Sequence, residues 1–209
     1  FFDKYMFDMR SSAREEKEEI YFAEGFHDRK IVIKPAGIPT MIVPGKRTSG
    51  VASPDWGTAM VQIPWYLYVY YGDRKILEDF YPDMKRWVQY IHRIKEDGII
   101  PHGLGDWCPP GGNVNIDCPV PVSSTAFHIL DVSIMAKVSA LLGNKGDQAY
   151  YSEMLVQLKS DFNRHFLDVD TPTYGSQTAD AMALDIGIVP VELREKVARS
   201  MVKNIHEAY

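Results

Sequence analysis

The chain has 209 residues, of which 45% are hydrophobic and 24% are charged, and its formal net charge is −5. This composition is typical of a globular protein with one large domain or two small ones. A nucleic-acid-binding protein usually needs a clustered basic face, which this acidic chain lacks. No apolar run reaches the ~18 residues of a membrane span, and residues 1–4 do not begin a signal peptide. We therefore expect neither nucleic acid nor a membrane as a partner.

The first fifty residues predict little regular structure beyond the end of a helix. Apolar side chains recur there at helical spacing, namely Phe2, Tyr5, Met6 and Met9. The charged run at 11–24 favours a solvated helix or loop. Residues 25–50 contain three prolines and several glycines, which predicts a long loop with a short extended piece at 30–34. Because the chain begins without Met and inside a helical pattern, we expect it to be a piece of a longer protein.

From residue 51 to residue 209 the chain alternates between two kinds of predicted helix. Helices that are apolar on every face must be buried, and they are predicted at 57–72, 123–142 and 177–186. Helices that are apolar on one face only follow each of them, at 73–96, 147–167 and 191–208. Pro82 lies inside the first of these amphipathic helices and predicts a kink or a restart there.

The connections between these helices alternate in length. Each buried helix is followed by a short link whose glycine can end it, and Asp73 and Asp147 are placed to cap the helices that come next. Long links precede the buried helices, at 25–54, 97–122 and 168–176. Antiparallel helices joined in this way gather all the long loops at one mouth. The pattern predicts an all-α fold with an inner and an outer ring of helices, an α/α barrel, rather than a solenoid with short loops.

The long loops place their most unusual residues just before the buried helices. An aromatic ring beside a carboxylate suits a carbohydrate, because the sugar's C–H face packs on the ring while the carboxylate binds its hydroxyl groups. A single Trp is more often a core residue, but two Asp-Trp pairs at equivalent positions favour a binding site. Asp55 has a second interpretation as the cap of the helix that follows it. The candidate site residues are Asp55, Trp56, His102, Asp106, Trp107 and Gln177.

We expect no metal ion and no cofactor. Cys108 and Cys118 lack two further ligands at suitable spacing, and no glycine-rich phosphate loop follows a strand. The two cysteines flank a short loop and could form a disulfide in an oxidising compartment. His128 lies on a buried helix, where a core histidine is more usual than a ligand, and His92 is expected at the surface or its boundary.

Several motifs together resemble the catalytic domain of bacterial α-L-rhamnosidases, glycoside hydrolase family 78. They are Ser53-Pro54-Asp55-Trp56-Gly57, Tyr71-Gly72-Asp73, Tyr81-Pro82-Asp83-Met84-Lys85, Gly103-Leu104-Gly105-Asp106-Trp107, Ser123-Ser124-Thr125, Gln177-Thr178-Ala179 and Gly187-Ile188-Val189-Pro190. The likeness runs from about residue 50 to the end of the chain. It implies an (α/α)6 barrel, the six-hairpin glycosidase type, of which this chain would hold about three inner/outer helix pairs.

The resemblance also implies roles for the candidate residues. Trp56 and Trp107 match positions that line the pocket around the rhamnosyl ring, whose methyl group favours an apolar wall. Asp55 and Asp106 would orient these rings or accept sugar hydroxyls. The weaker candidates are His102 and Gln177.

The family's enzymes resemble inverting glycosidases, which need an acid and a base carboxyl about 6.5–9.5 Å apart. In the family the acid Glu lies in an acidic motif before the matched region, and the base Glu lies in a Trp-Glu motif after it. Neither motif occurs in this sequence. The resemblance therefore implies a fragment that holds part of the sugar site and no catalytic residue.

The expected function is the release of terminal α-L-rhamnose from glycosides or polysaccharides, with a rhamnose-containing carbohydrate as substrate. Two alternatives stay open: another six-hairpin carbohydrate-active enzyme, and a non-catalytic sugar-binding helical scaffold. A half ring would expose inner-helix surface, so we expect either a homo-oligomer or the remainder of a larger chain to cover it. The bacterial periplasm or the exterior of the cell is favoured over the cytoplasm.

Overall fold

The computed structural model describes residues 2–14, 17–22, 29–43, 53–106 and 117–208. In chain order the elements are α1 (Phe2–Ser12), β1 (Lys17–Phe22), β2 (Arg29–Lys34), α2 (Pro54–Gly57), α3 (Ala59–Tyr71), α4 (Arg74–Arg93), α5 (Val120–Leu142), α6 (Lys145–Phe166), α7 (Gln177–Asp185), a 3-10 turn (Val191–Leu193) and α8 (Arg194–Ala208). The chain is mainly helical, which confirms the predicted fold class.

The helices pack as three sequential pairs, α3 with α4, α5 with α6, and α7 with α8. Helix α5 lies at the centre, because it also contacts α2, α3, α4 and α7. Most of its residues are buried, whereas α6 and α4 each expose one face to solvent. The predicted alternation of inner and outer helices is therefore confirmed most fully at the central pair, α5 with α6.

The charged run near the N-terminus is not the solvated helix or loop that its composition predicts. Residues Lys17–Phe22 form β1, which pairs antiparallel with β2 in a register that places Ile20 opposite Ile31. Strand β2 matches the extended piece predicted at 30–34. The reason for the error is that a β-strand depends on its cross-strand partner, and the partner here is the β-branched segment of β2.

The short links between paired helices are closed as predicted in all but one detail. Gly72 and Gly143 end α3 and α5 in the left-handed conformation, with φ of +70° and +78°, where glycine costs least. The Asp73 carboxylate caps α4 by accepting a hydrogen bond from the Ile76 amide at 3.1 Å. The predicted cap by Asp147 is wrong, because α6 begins at Lys145.

Asp147 instead joins two outer helices. Its carboxylate accepts hydrogen bonds from the Tyr81 hydroxyl at 2.8 Å and from Lys85 Nζ at 2.8 Å, both on α4. The hydrogen bond from Lys85 holds the pKa of Asp147 below its usual value. Helix α4 also runs unbroken through Pro82, so the predicted restart at that residue is wrong.

Helix α3 is buried on one side only, although its composition predicts burial all round. Its buried residues are Met60, Val61, Pro64 and Leu67. Near its C-terminal end, Tyr70 and Tyr71 are 74% and 73% exposed. An apolar helix with a bare face is what the edge of an incomplete ring would present.

Helix α5 is the one element of the described residues that is long and apolar enough, by length and composition, to cross a membrane, with a mean hydropathy of 1.4. From the sequence, no apolar run was expected to reach the length of a membrane span. Over half of that window is buried inside the structure, and four other helices and α6 pack around α5. A central core helix passes the same test of length and composition.

A buried carboxyl group ties α5 to its neighbours. Asp131 is 1% exposed and accepts hydrogen bonds from the Thr58 hydroxyl and, at 2.9 Å, from Trp87 Nε1. Burial raises the pKa of Asp131 to about 8, against the opposing effect of these hydrogen bonds. The group is therefore largely neutral near pH 7, which lowers the cost of placing it in the core.

Trp87 also packs directly beneath α2. A Cβ atom added at Gly57 would lie 2.1 Å from Trp87 Cη2, so α2 can approach α4 this closely only because residue 57 has no side chain. This contact fixes the distance between the Trp87 ring and α2, the short helix that carries Asp55 and Trp56.

Gly57→Ala should therefore destabilise the protein by about 1–3 kcal/mol, because the added methyl group overpacks the core against Trp87. Gly146→Ala is the matched control, since a Cβ there meets nothing within 4 Å and alanine favours a helix. The free energies of unfolding from urea titrations compare the two. Equal effects of the two substitutions would contradict the packing described here.

The raised pKa of Asp131 predicts a pH-dependent stability. Between the unfolded value of 3.8 and the folded value of about 8 the folded state binds the extra proton, so this group's contribution to stability falls as pH rises through that window. Relative to Asp131→Asn, the wild type should lose up to about 1.4 kcal/mol per pH unit between pH 5 and 7. Asp185→Asn, at an exposed position, serves as control and should keep the wild-type slope. Parallel curves for wild type and Asp131→Asn would refute the assignment.

Candidate functional site

The Asp55 carboxylate joins three segments that are distant in sequence. Asp55 lies in α2, and its Oδ2 accepts a hydrogen bond from the Leu104 amide at 2.9 Å. Its Oδ1 accepts a hydrogen bond from the Ser123 hydroxyl at 3.2 Å, in the first turn of α5. The carboxylate thus holds the second long loop against the start of a central helix.

These contacts bear on the second interpretation of Asp55, that of a helix cap. Both carboxylate oxygens serve the loop and α5, and Ser53 occupies the position before α2, so Asp55 does not act as a helix cap. Burial raises the pKa of Asp55, although the hydrogen bonds from Leu104 and Ser123 oppose this rise. Removal of the Asp55 carboxylate would leave the Leu104 amide and the Ser123 hydroxyl without their acceptor.

The loop before α5 lies unusually close to that helix at one glycine. A Cβ atom at Gly103 would lie 2.0 Å from Ser124 Oγ and 2.6 Å from Asp55 Oδ2. Only glycine permits the backbone to approach both groups. The first glycine of the Gly-Leu-Gly sequence before Asp106 is therefore explained by this close contact.

Asp106 connects the second long loop to the start of α7. Its amide donates to the Cys118 carbonyl at 3.1 Å, and its Oδ2 accepts a hydrogen bond from the Thr178 hydroxyl at 2.9 Å. Thr178 lies in the first turn of α7, the third inner helix. Together with Asp55, this contact gathers the second long loop and the starts of α2, α5 and α7 at one mouth.

The other candidate residues differ in how far the structure describes them. Trp56 is 45% exposed on α2, Gln177 is exposed at the first position of α7, and His102 is half-buried in the Gly103 loop. Trp107 lies outside the described residues. Of the two candidate tryptophans, Trp56 is therefore the one whose position the structure describes.

Three contact residues were not predicted from the sequence. Leu104, Ser123 and Thr178 bind the two carboxylates through a backbone amide and two hydroxyl groups. A hydroxyl residue in the first turn of an inner helix is a weak signal of such a contact, since the same residues are common at helix starts for local reasons.

Cys118 is buried, and its thiol has no disulfide partner among the described residues. Burial raises the pKa of this thiol to about 12, so it is protonated near neutral pH and unreactive as a nucleophile. Its predicted disulfide partner, Cys108, lies outside the described residues.

A family model described as the bacterial alpha-L-rhamnosidase 6 hairpin glycosidase domain matches residues 1–209. An alpha-L-rhamnosidase of Formosa agariphila is 37% identical over 99% of this chain and 22% of its own length. One of Streptomyces avermitilis is 31% identical over 76% of this chain and 15% of its own length. The chain therefore spans about a fifth of the length of these curated relatives.

Solved structures share the arrangement of helices. The crystal structure of the Streptomyces avermitilis alpha-L-rhamnosidase complexed with L-rhamnose superposes with a TM-score of 0.79 at 25% identity, over 99% of this chain and 18% of that one. The alpha-L-rhamnosidase of Dictyoglumus thermophilum gives a TM-score of 0.76 at 31% identity, over 98% of this chain and 21% of that one.

Asp55→Ala should release the Gly103 loop, because it removes the acceptor of the Leu104 amide. Loss of a buried hydrogen bond costs about 1–3 kcal/mol, so exchange of that amide with deuterium should accelerate roughly tenfold or more. Thr178→Val, which removes only the donor to Asp106, is the comparison and should leave the Leu104 amide protected. Unchanged protection in Asp55→Ala would mean that the loop is held by other contacts.

Proposed function

The chain belongs to the bacterial α-L-rhamnosidase six-hairpin glycosidase family, and we propose that it forms the rhamnose-holding part of an enzyme that releases terminal α-L-rhamnose from glycosides or polysaccharides. The observation that carries this proposal is that the second long loop joins the starts of α2, α5 and α7 at one mouth through Asp55 and Asp106. A mouth of this kind beside an exposed tryptophan suits a sugar ring.

Trp56 provides the flat apolar surface of the proposed site. Rhamnose is a 6-deoxy sugar, so one edge of its ring carries a methyl group and favours contact with an aromatic wall. Burial of a tryptophan face contributes more apolar contact than any other side chain can. Trp107 is the second proposed wall, on the strength of the sequence resemblance.

The two carboxylates take different parts in this proposal. Asp55 has both oxygens engaged with the protein, so it positions the loop and does not bind sugar directly. Asp106 has one oxygen engaged by Thr178, and no other contact of its carboxylate is found among the described residues. The remaining oxygen is proposed to accept a sugar hydroxyl. His102 and Gln177 are the secondary contacts.

The chemistry is proposed to follow the inverting route. One carboxylic acid protonates the leaving oxygen, and one carboxylate activates water across a gap of about 6.5–9.5 Å. We propose that both groups lie outside these 209 residues, because Asp55 and Asp106 serve loop contacts and the sequence lacks the family's acidic and Trp-Glu motifs. Residues 1–209 are then part of one barrel domain.

The bare face of α3 fits this proposal. Its exposed side chains are Tyr66, Val69, Tyr70 and Tyr71. We propose that further hairpins of the same barrel cover this face, with a second copy of the chain as the alternative.

Trp56→Ala in the complete enzyme that carries these residues should weaken rhamnose binding roughly tenfold, equivalent to ~1.4 kcal/mol, because the sugar loses its apolar wall. Tyr150→Ala is the control, since Tyr150 is 47% exposed on the outer helix α6. Isothermal titration with L-rhamnose gives both dissociation constants. An unchanged constant for Trp56→Ala in a folded protein would remove Trp56 from the site, and no binding by the wild type would favour a different carbohydrate.

A further inference from the structure

A hydrogen-bonded chain of three basic side chains runs from the surface into the core beneath the Gly103 loop. Lys95 Nζ lies 3.1 Å from His92 Nε2, and His92 Nδ1 lies 3.3 Å from His128 Nε2. Lys95 and His92 are half-buried, whereas His128, on the central helix α5, is 1% exposed. The predicted boundary position of His92 and core position of His128 are both confirmed.

The chemistry of the three groups gives the chain a direction. A lysine ammonium group can only donate hydrogen bonds, so His92 Nε2 accepts and the His92 proton sits on Nδ1. His92 then donates to His128 Nε2, which places the His128 proton on Nδ1. Burial lowers the pKa of both rings, that of His128 to about 3, so both are neutral near pH 7 as this assignment requires.

The chain ends beside a second unsatisfied polar group. His128 Nδ1 is buried and has no hydrogen-bond partner among the described residues, and the same holds for Ser124 Oγ. The two residues are four apart on α5, so they lie on one face of the helix with Cβ atoms about 5–6 Å apart. Two buried polar atoms on one helix face, each without a hydrogen-bond partner among the described residues, are the usual setting of an internal water molecule.

Ser124 is also the residue on which the site loop rests. Its Oγ is the nearest atom to a Cβ built at Gly103. The next residue, Thr125, accepts a hydrogen bond from the Ile100 amide at 2.9 Å. Whatever satisfies Ser124 therefore lies directly under the loop that carries Asp106.

We propose that one internal water molecule bridges His128 Nδ1 and Ser124 Oγ, so that a continuous hydrogen-bonded chain runs from Lys95 to the underside of the Gly103 loop. The water accepts a hydrogen bond from His128 Nδ1–H and donates a hydrogen bond to Ser124 Oγ. His128 then acts as a positioning residue for the loop, through the water and Ser124. The proposal stands on these contacts alone and does not depend on which sugar the mouth binds.

Substitution of Ser124 tests whether a water molecule bridges His128 Nδ1 and Ser124 Oγ. If the water is present, Ser124→Ala removes one of its partners, and the melting temperature should fall by about 2–4 °C. If the pair is dry, the same substitution removes an unsatisfied buried hydroxyl and should leave the melting temperature unchanged or raise it. Ser133→Ala, a half-buried position on the same helix, controls for helix propensity. A fall relative to this control supports the water, and an equal or higher value overturns it.

Spectroscopy of the unsubstituted chain provides an independent test. In protein labelled with ¹⁵N-histidine, long-range ¹H–¹⁵N correlation should show His128 as the Nδ1–H tautomer, and its Nδ1 proton should give a nuclear Overhauser effect to a bound water. An Nε2–H tautomer, or an Nδ1 proton without a contact to water, would refute the proposal. This measurement holds even if Ser124→Ala fails to fold.

Discussion

The mouth of this fold depends on the half-buried carboxylate of Asp55. Removing a carboxylate from water is costly unless donors replace the solvent, and here the donors are the Leu104 amide and the Ser123 hydroxyl. Because these donors belong to different segments, satisfying one charge fixes the Gly103 loop against α5. Asp106 then extends the same loop to α7 through Thr178. One loop, held at two carboxylates, thus joins α2, α5 and α7.

Helix α5 is the scaffold for these contacts because its polar residues bond to several neighbouring segments. Ser123 contacts Asp55, Thr125 accepts from the Ile100 amide, His128 bonds His92, and Asp131 accepts from Trp87. Along an otherwise apolar helix, these groups allow only one arrangement of the surrounding elements that leaves them paired. Apolar packing stabilises the ring, while the polar contacts define which surfaces meet.

The sequence predicted what depends on local pattern and missed what depends on distant partners. Helix alternation, glycine ends and the Asp73 cap follow from periodicity and from short-range geometry, and all appear in the structure. Strand β1 and the contact of Asp147 with Lys85 depend on segments that only folding brings together. The convergence of the long loops was predicted from topology, yet the hydroxyl and amide partners of the two carboxylates carry no pattern of their own. The resemblance to a glycosidase family added the sugar, which periodicity alone does not identify.

We propose that these residues build the sugar-holding mouth of a rhamnosidase, whose acid and base carboxyl groups lie outside the 209 residues. The most direct test is the hydrolysis of an aryl α-L-rhamnoside by the purified 209-residue chain, followed by release of the phenol and compared with the complete enzyme. We expect turnover by the complete enzyme, and no turnover above the uncatalysed rate by the chain alone. Turnover by the chain, abolished by Asp55→Asn or Asp106→Asn, would contradict it and make one of these carboxylates catalytic.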